Sequence, residues 1–279
     1  MEHDAEIIIC GDPIKDIYVE EYLAYNQKVL TEKVVTCSGG ALNVYENLKS
    51  ILREDVVTLV GPTCYQRQDI YSIIRSSFVG RDIYLVPESE RSSFYHNAPD
   101  PTHSINSSTE IRNDGRPMGL VLSDYNRGLL NRQSYAEPIT YPFEFCVVDS
   151  KERTINIDLF KSSKLKIWHA TGNEYCSEFA KNFDWVYHTN AEGPVLITSG
   201  DNDMSLHPIW VPDTKVINTC GAGDTFTAAI ASYLTKINQE RLTEEDLLQA
   251  GAFAIACCQE VITKPYTSIT NHKLDETCT

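Results

Sequence analysis

The chain has 279 residues, 42% of them hydrophobic, enough for one large core, and a formal net charge of −15 at pH 7. Such acidity argues against nucleic acid or an anionic membrane as a partner and obliges any anionic ligand to find a locally positive pocket. Nine cysteines, an odd number with no C-x-x-C pair, outline neither a zinc site nor a disulfide framework. The acidic start, Met1-Glu2-His3-Asp4, lacks an apolar signal region, and no run reaches about 18 apolar residues. A cytoplasmic protein with reduced thiols is the expectation.

In chain order, Ile7-Ile8-Ile9-Cys10 predicts a buried parallel strand that stops at Gly11-Asp12. Asp12 and Asp16 then fall near its carboxyl end, where open α/β sheets bind ligands; a solvated loop is the alternative. Residues 17–36 mix polar and β-branched types. Ser38-Gly39-Gly40 opens a predicted helix over 41–52, with Leu42, Tyr45, Leu48 and Leu52 on one face. Gly39 and Gly40 let the backbone approach a ligand, and Asn43 can both donate and accept. A strand is predicted over 56–60, a helix over 69–78 and a short strand over 83–86. Residues 87–115 turn to Ser, Thr, Asn, Pro and charge and read as long loops. Buried strands follow at 119–123, 145–148, 167–170 and 195–198, ending at Asp124, Asp149, Thr171-Gly172-Asn173 and Ser199-Gly200. Strand after strand ending in polar residues is the pattern of a doubly wound, mostly parallel α/β sheet flanked by helices. A last helix is predicted over 244–260, with Leu247, Leu248, Gly251, Ile255 and Cys258 inward.

The most informative stretch is Asn218-Thr219-Cys220-Gly221-Ala222-Gly223-Asp224-Thr225. Phe226, Ala229, Ile230, Tyr233 and Leu234 follow at helical spacing, so the glycines precede a helix N-terminus. Unpaired N–H groups and the helix dipole make that terminus an anion cradle. Asp224 would repel a phosphate, which makes sense if it takes the proton of a hydroxyl attacking that phosphate. A plain turn with Asp224 as N-cap is the alternative.

Residues 218–224 resemble the D-T-x-G-A-G-D signature of the ribokinase/pfkB family of carbohydrate kinases. Gly11-Asp12 with Asp16, and Gly39-Gly40-Ala41-Leu42-Asn43, match further family landmarks in order. Ser123-Asp124-Tyr125-Asn126-Arg127-Gly128 and Asp149-Ser150-Lys151 are most similar to the heptose-phosphate kinase branch of ADP-heptose synthesis. The resemblance spans nearly the whole chain and implies a single ribokinase-like domain over 1–279, with a small β lid at roughly 13–36 and 88–113. It implies an ATP-dependent phosphotransferase acting on a hydroxyl of a sugar or sugar phosphate, with a heptose-phosphate-like acceptor. A nucleoside or simple-sugar kinase, or a weakened binding relative, stands as the alternative.

In that scheme Asp224 is the base and the N–H groups of Gly221, Ala222 and Gly223 hold the developing charge. Asp12, Asp16, Gly39, Gly40, Asn43, Asp124 and Arg127 contact the acceptor. Lys151, Asn173, Thr198 and Gly200 serve the nucleotide. Mg²⁺ is held largely through water, with Glu174 or Glu178 as its carboxylate, and a monovalent cation is an allowed addition. The exposed edge of the lid is a template for a homodimer. The chain departs from the family pattern at Asn218, at Cys176 where the N-x-x-E glutamate would stand, and at Asp203 in place of a glycine.

Overall fold

A computed structural model describes residues 6–23, 29–52, 56–60, 71–76, 82–85, 118–125, 130, 142–151, 155–190, 193–199, 205–209 and 215–274. Strands β1 (Glu6–Gly11), β4 (Val57–Val60), β7 (Met118–Asp124), β8 (Phe145–Ser150), β9 (Leu165–Thr171), β10 (Trp185–Thr189), β11 (Val195–Ser199) and β12 (Ser205–Ile209) form one eight-stranded sheet. Its order is β12-β11-β10-β9-β8-β7-β1-β4. Pairing is parallel from β4 through β10 and antiparallel at β10–β11 and β11–β12. The chain leaves β1 toward β4 on one side and resumes at β7 on the other. Their carboxyl ends therefore part at a topological switch point.

The central strands are apolar on both faces because both faces are covered. Ile7 and Ile9 face a layer formed by α1 (Ala41–Ile51), α3 (Ala222–Leu234) and α4 (Glu244–Ile262), where they join Val44, Leu48, Ala229, Ile230, Leu247 and Ala254. Ile8 and Cys10, one residue out of phase, join Leu120, Leu122, Val148, Trp168, Phe179 and Phe183 on the opposite face. The short helix α2 (Ser177–Ala180) belongs to that second layer. Among the described residues no helix is long and apolar enough to cross a membrane.

A second, four-stranded sheet has the order β3-β2-β5-β6, from β2 (Pro13–Leu23), β3 (Val29–Gly40), β5 (Tyr71–Ser76) and β6 (Asp82–Leu85). The expected helix over 69–78 is in fact strand β5, paired in parallel with β2 from Ile14↔Tyr71 to Val19↔Ser76. Ile70, Ile74 and Phe78 have helical spacing, but Tyr71, Ile73 and Ile74 are strand formers, and the edge of β2 offers a backbone ladder. The stretch 88–113 lies outside the described residues. Strands β10 and β12 were not expected. In α1 the buried face is Asn43, Val44, Asn47, Leu48 and Ile51, not the Leu42/Tyr45 stripe, because the two asparagines turn inward to hydrogen-bond Asp224 and Thr270. In α4, likewise, Leu248 and Cys258 are only partly buried, while Ala250, Ala254 and Cys257 fill the core.

Candidate active site

Backbone hydrogen bonds lock the switch point. Asp12 N–H donates to Ser123 O at 3.0 Å, and Ala41 N–H donates to Asp12 O at 3.0 Å. This ties β1, β7 and the start of α1 together. Tyr125 N–H donates to Asp12 Oδ2 at 3.0 Å. The Asp124 carboxylate accepts from Ser150 Oγ at 2.9 Å, joining β7 to β8. Asp12, Asp16, Asp124, Asp149 and Asp224 are all buried.

Asp224 lies in the first turn of α3, whose N-cap is Gly221 at φ 82°, with no side-chain cap. The plain N-cap alternative is thereby set aside. A Cβ at Gly221 would meet Asn43 Nδ2 at 2.6 Å and Thr267 Cγ2 at 2.7 Å, so glycine is required by both backbone and space. Asp224 Oδ1 accepts from the Tyr125 hydroxyl at 2.8 Å and Oδ2 from Asn43 Nδ2 at 3.1 Å. Asn47 in turn donates to Asn43 Oδ1 at 3.1 Å. Burial, reinforced by Asp149, pushes the Asp224 carboxyl up to about 7, against the pull of Lys151, Tyr125 and Asn43. A base poised there can take a proton near neutrality.

The cradle differs from expectation at one of its three amides. Ala222 N–H donates to Thr219 O at 3.2 Å, because the left-handed Gly221 closes a turn beneath it. Gly223 leaves room: a Cβ there would stand 3.7 Å from His169 Cε1, 3.9 Å from Lys151 Nζ and 4.0 Å from Asp149 Oδ2. Lys151 Nζ stands beside this turn, the one cation near Gly223 among these three neighbours.

Lys151 is half-buried, 3.1 Å from Asp149 Oδ1 and 3.5 Å from Glu174 Oε1, and its ammonium lies over the Tyr125 ring at 5.2 Å. Burial alone would lower its pKa, but Asp149, Glu174 and Asp224 together raise it, so it stays charged. Asp149 Oδ2 is buried without a hydrogen-bond partner and lies 4.0 Å from His169 Nδ1. His169 sits between the hydroxyls of Thr227 (2.9 Å) and Thr189 (3.0 Å), and burial pulls it down to about 4, so the ring is neutral.

The two metal-side glutamates part company. Glu174 Oε2 accepts from Thr171 N–H at 2.8 Å in a capping box and its Oε1 faces Lys151. Burial raises its pKa despite Lys151. Glu178 is exposed on α2 and paired with Lys181 at 2.8 Å, away from the cluster. Asn173 is exposed in the turn after β9. Thr198 lies on β11 with its hydroxyl buried and without a partner. Asp16, beside Gly39, accepts from Thr267 Oγ1 at 2.7 Å. Gly40 ends β3 and caps α1. Arg127, Gly200 and Asp203 lie outside the described residues. Sequence reasoning missed Asn47, Tyr18, His169 and Thr267; Asn47 bonds Asn43 one helical turn away as well as distant Thr270, and the partners of the other three are remote in sequence.

Residues 169–274 match the family pattern for pfkB family carbohydrate kinases. Among solved structures the chain is similar to a ribokinase from Giardia lamblia (TM-score 0.62, 14% identity, 94% of this chain and 96% of that one). It is also similar to phosphofructokinase-2 from Escherichia coli in complex with fructose-6-phosphate (TM-score 0.61, 14% identity, 96% of each chain). A nucleoside kinase from Methanocaldococcus jannaschii aligns at TM-score 0.60 with 12% identity over 97% of this chain and 96% of that one. No curated protein matches the sequence. The chain thus has the ribokinase-like α/β fold, and its stretch from residue 169 to 274 carries the sequence pattern of the pfkB family carbohydrate kinases.

Proposed function

We propose that the protein is an ATP-dependent carbohydrate kinase. The observation that carries this reading is the buried Asp224 carboxylate, poised near neutrality in the first turn of a helix whose N-terminus is open toward Lys151. An acceptor hydroxyl displaces the Tyr125 phenol from Asp224 and loses its proton to that carboxylate as its oxygen attacks the γ-phosphorus, while the bond to the β,γ-bridging oxygen breaks and ADP leaves. The N–H groups of Gly221 and Gly223 and the Lys151 ammonium receive the charge of the transferred group. Asp12, Asp16 and Asn43 hold the acceptor's other hydroxyls, and Asp124 braces the site through Ser150.

ATP is the phosphoryl donor in this reading, and the buried, unpartnered Thr198 hydroxyl is assigned to the nucleotide. Among the described residues no group of three or more His, Cys, Asp or Glu side chains is arranged to hold a metal. Asp149, whose Oδ2 is buried without a hydrogen-bond partner, is the residue that would accept from water on a nucleotide-borne Mg²⁺, which would supply neutralisation of phosphate charge. In this reading Glu174 positions Lys151, and Glu178 has no part.

The acceptor we favour is a sugar phosphate of heptose type. Lys151 is drawn to the cradle, so that choice rests on Arg127 and on the Asp124-Tyr125 motif. The trio Asp12, Asp16 and Asn43 favours a polyhydroxylated acceptor in any case and keeps a simple sugar or nucleoside as the second reading. The small sheet is the lid of a single domain, and its outer edge is the dimer surface. A panel of sugars, sugar phosphates and nucleosides incubated with Mg-ATP tests the reading. Formation of a phosphorylated sugar supports it. Turnover of adenosine or ribose far above every sugar phosphate removes the heptose choice. No transfer to any acceptor leaves a binding protein.

A further inference from the structure

Asn218, where the family signature has an aspartate, stands at one end of a hydrogen-bond chain whose direction is forced. A carboxylate only accepts, so the single Thr267 hydroxyl proton goes to Asp16 Oδ2, at 2.7 Å. Thr267 Oγ1 lies 2.6 Å from the Tyr18 hydroxyl, so the proton between them comes from Tyr18. The Tyr18 oxygen in turn accepts from Thr267 N–H and from Asn218 Nδ2, each at 3.0 Å. The other end of Asn218 is fixed: Oδ1 accepts from Cys220 N–H at 3.0 Å in the cradle loop. Thr267 also touches the cradle, since its methyl occupies the space a Gly221 side chain would need. Lys33 and the Tyr18 ring both pack on Tyr266, so the same segment grips the small sheet.

We propose that Asn218, Tyr18 and Thr267 are positioning residues that orient the Asp16 carboxylate relative to the phosphate cradle, and that the amide at 218 is required for this. An aspartate at 218 has no proton to donate to Tyr18. The Tyr18 hydroxyl would turn toward it, leaving two oxygens 2.6 Å apart with no hydrogen between them. The family residue at this position would therefore impair this protein. The proposal rests on the reading of Asp16 as an acceptor-binding group.

The test compares Asn218→Asp, Tyr18→Phe and Thr267→Val, the last keeping the methyl packed on Gly221. Amide hydrogen exchange over residues 14–18 should accelerate about tenfold in each, through direct loss of the charge-assisted bond to Asp16 in Thr267→Val and through loss of the neutral bonds that orient it in the other two. With whichever acceptor the panel identifies, KM for that acceptor should rise about tenfold while kcat and KM for ATP stay within about threefold. The N218D/Y18F double variant should be no worse than the poorer single one, because both cut one chain. Unchanged exchange in Asn218→Asp and Thr267→Val, additive losses in the double variant, or a fall in kcat at constant acceptor KM overturns the proposal. If the wild type phosphorylates nothing, the kinase reading falls, and the exchange rates alone decide the relay.

Discussion

Asp224 is a carboxylate placed where its own charge is costly, which is why its proton affinity rises. Turnover should fall about tenfold per pH unit below about 7 as the base protonates, and a flat profile down to pH 5 would separate Asp224 from proton transfer. Stability should respond in the same window. With its folded pKa raised from 3.8 to about 7, this group contributes fully below about pH 4, and its contribution is lost as pH rises toward 7. His169 acts in the opposite sense. Depressed from 6.5 to about 4, it supports the fold above 6.5 and weakens it as pH falls through that range. Asp224→Asn removes the first slope and leaves the second. Urea denaturation should find the variant gaining on the wild type by roughly 1–4 kcal/mol between about pH 4 and pH 8.

At the scale of elements, the N-terminus of α3 carries two glycines with different duties. Gly221→Ala meets a left-handed backbone and contacts at 2.6 and 2.7 Å, and should cost about 2–4 kcal/mol of stability. Gly223→Ala has room in the fold, with neighbours at 3.7–4.0 Å, and should change stability by less than about 1 kcal/mol. It should nonetheless abolish binding of a non-hydrolysable ATP analogue, because its methyl fills the cradle; calorimetry and thermal melts separate the two effects. These features were legible because they are local: a glycine pair, a helical stripe, and apolar strands ending in aspartate. Of the strands missed or misread, β5 and β12 depend on a neighbour for their identity, whereas β10 carries strand formers of its own in Trp185-Val186-Tyr187-His188-Thr189. Strand β5 exists because β2 offers an edge, and β12, containing Pro208, is an edge strand with a weak pattern of its own. The relay was illegible for the same reason: Tyr18 and Thr267 are 249 positions apart.

For the molecule as a whole, β3 and β6 are the outer strands of the small sheet, and among the described residues no other strand pairs with either. An open edge is a template for a second copy. Light scattering at micromolar concentration should therefore find twice the chain mass of 31.4 kDa; a monomer would remove the dimer while leaving the lid. Fold and charge meet at the switch point, where an acidic protein of net charge −15 keeps Lys151 beside the cradle. In the proposed mechanism Asp224 accepts the acceptor's proton there. The most direct measurement is turnover of an established acceptor by wild type and Asp224→Asn, with binding of the ATP analogue measured on both. Turnover should fall on the order of 10²–10⁴ in Asp224→Asn, with binding retained or tightened. Near-normal turnover by a folded, nucleotide-binding Asp224→Asn variant would contradict it.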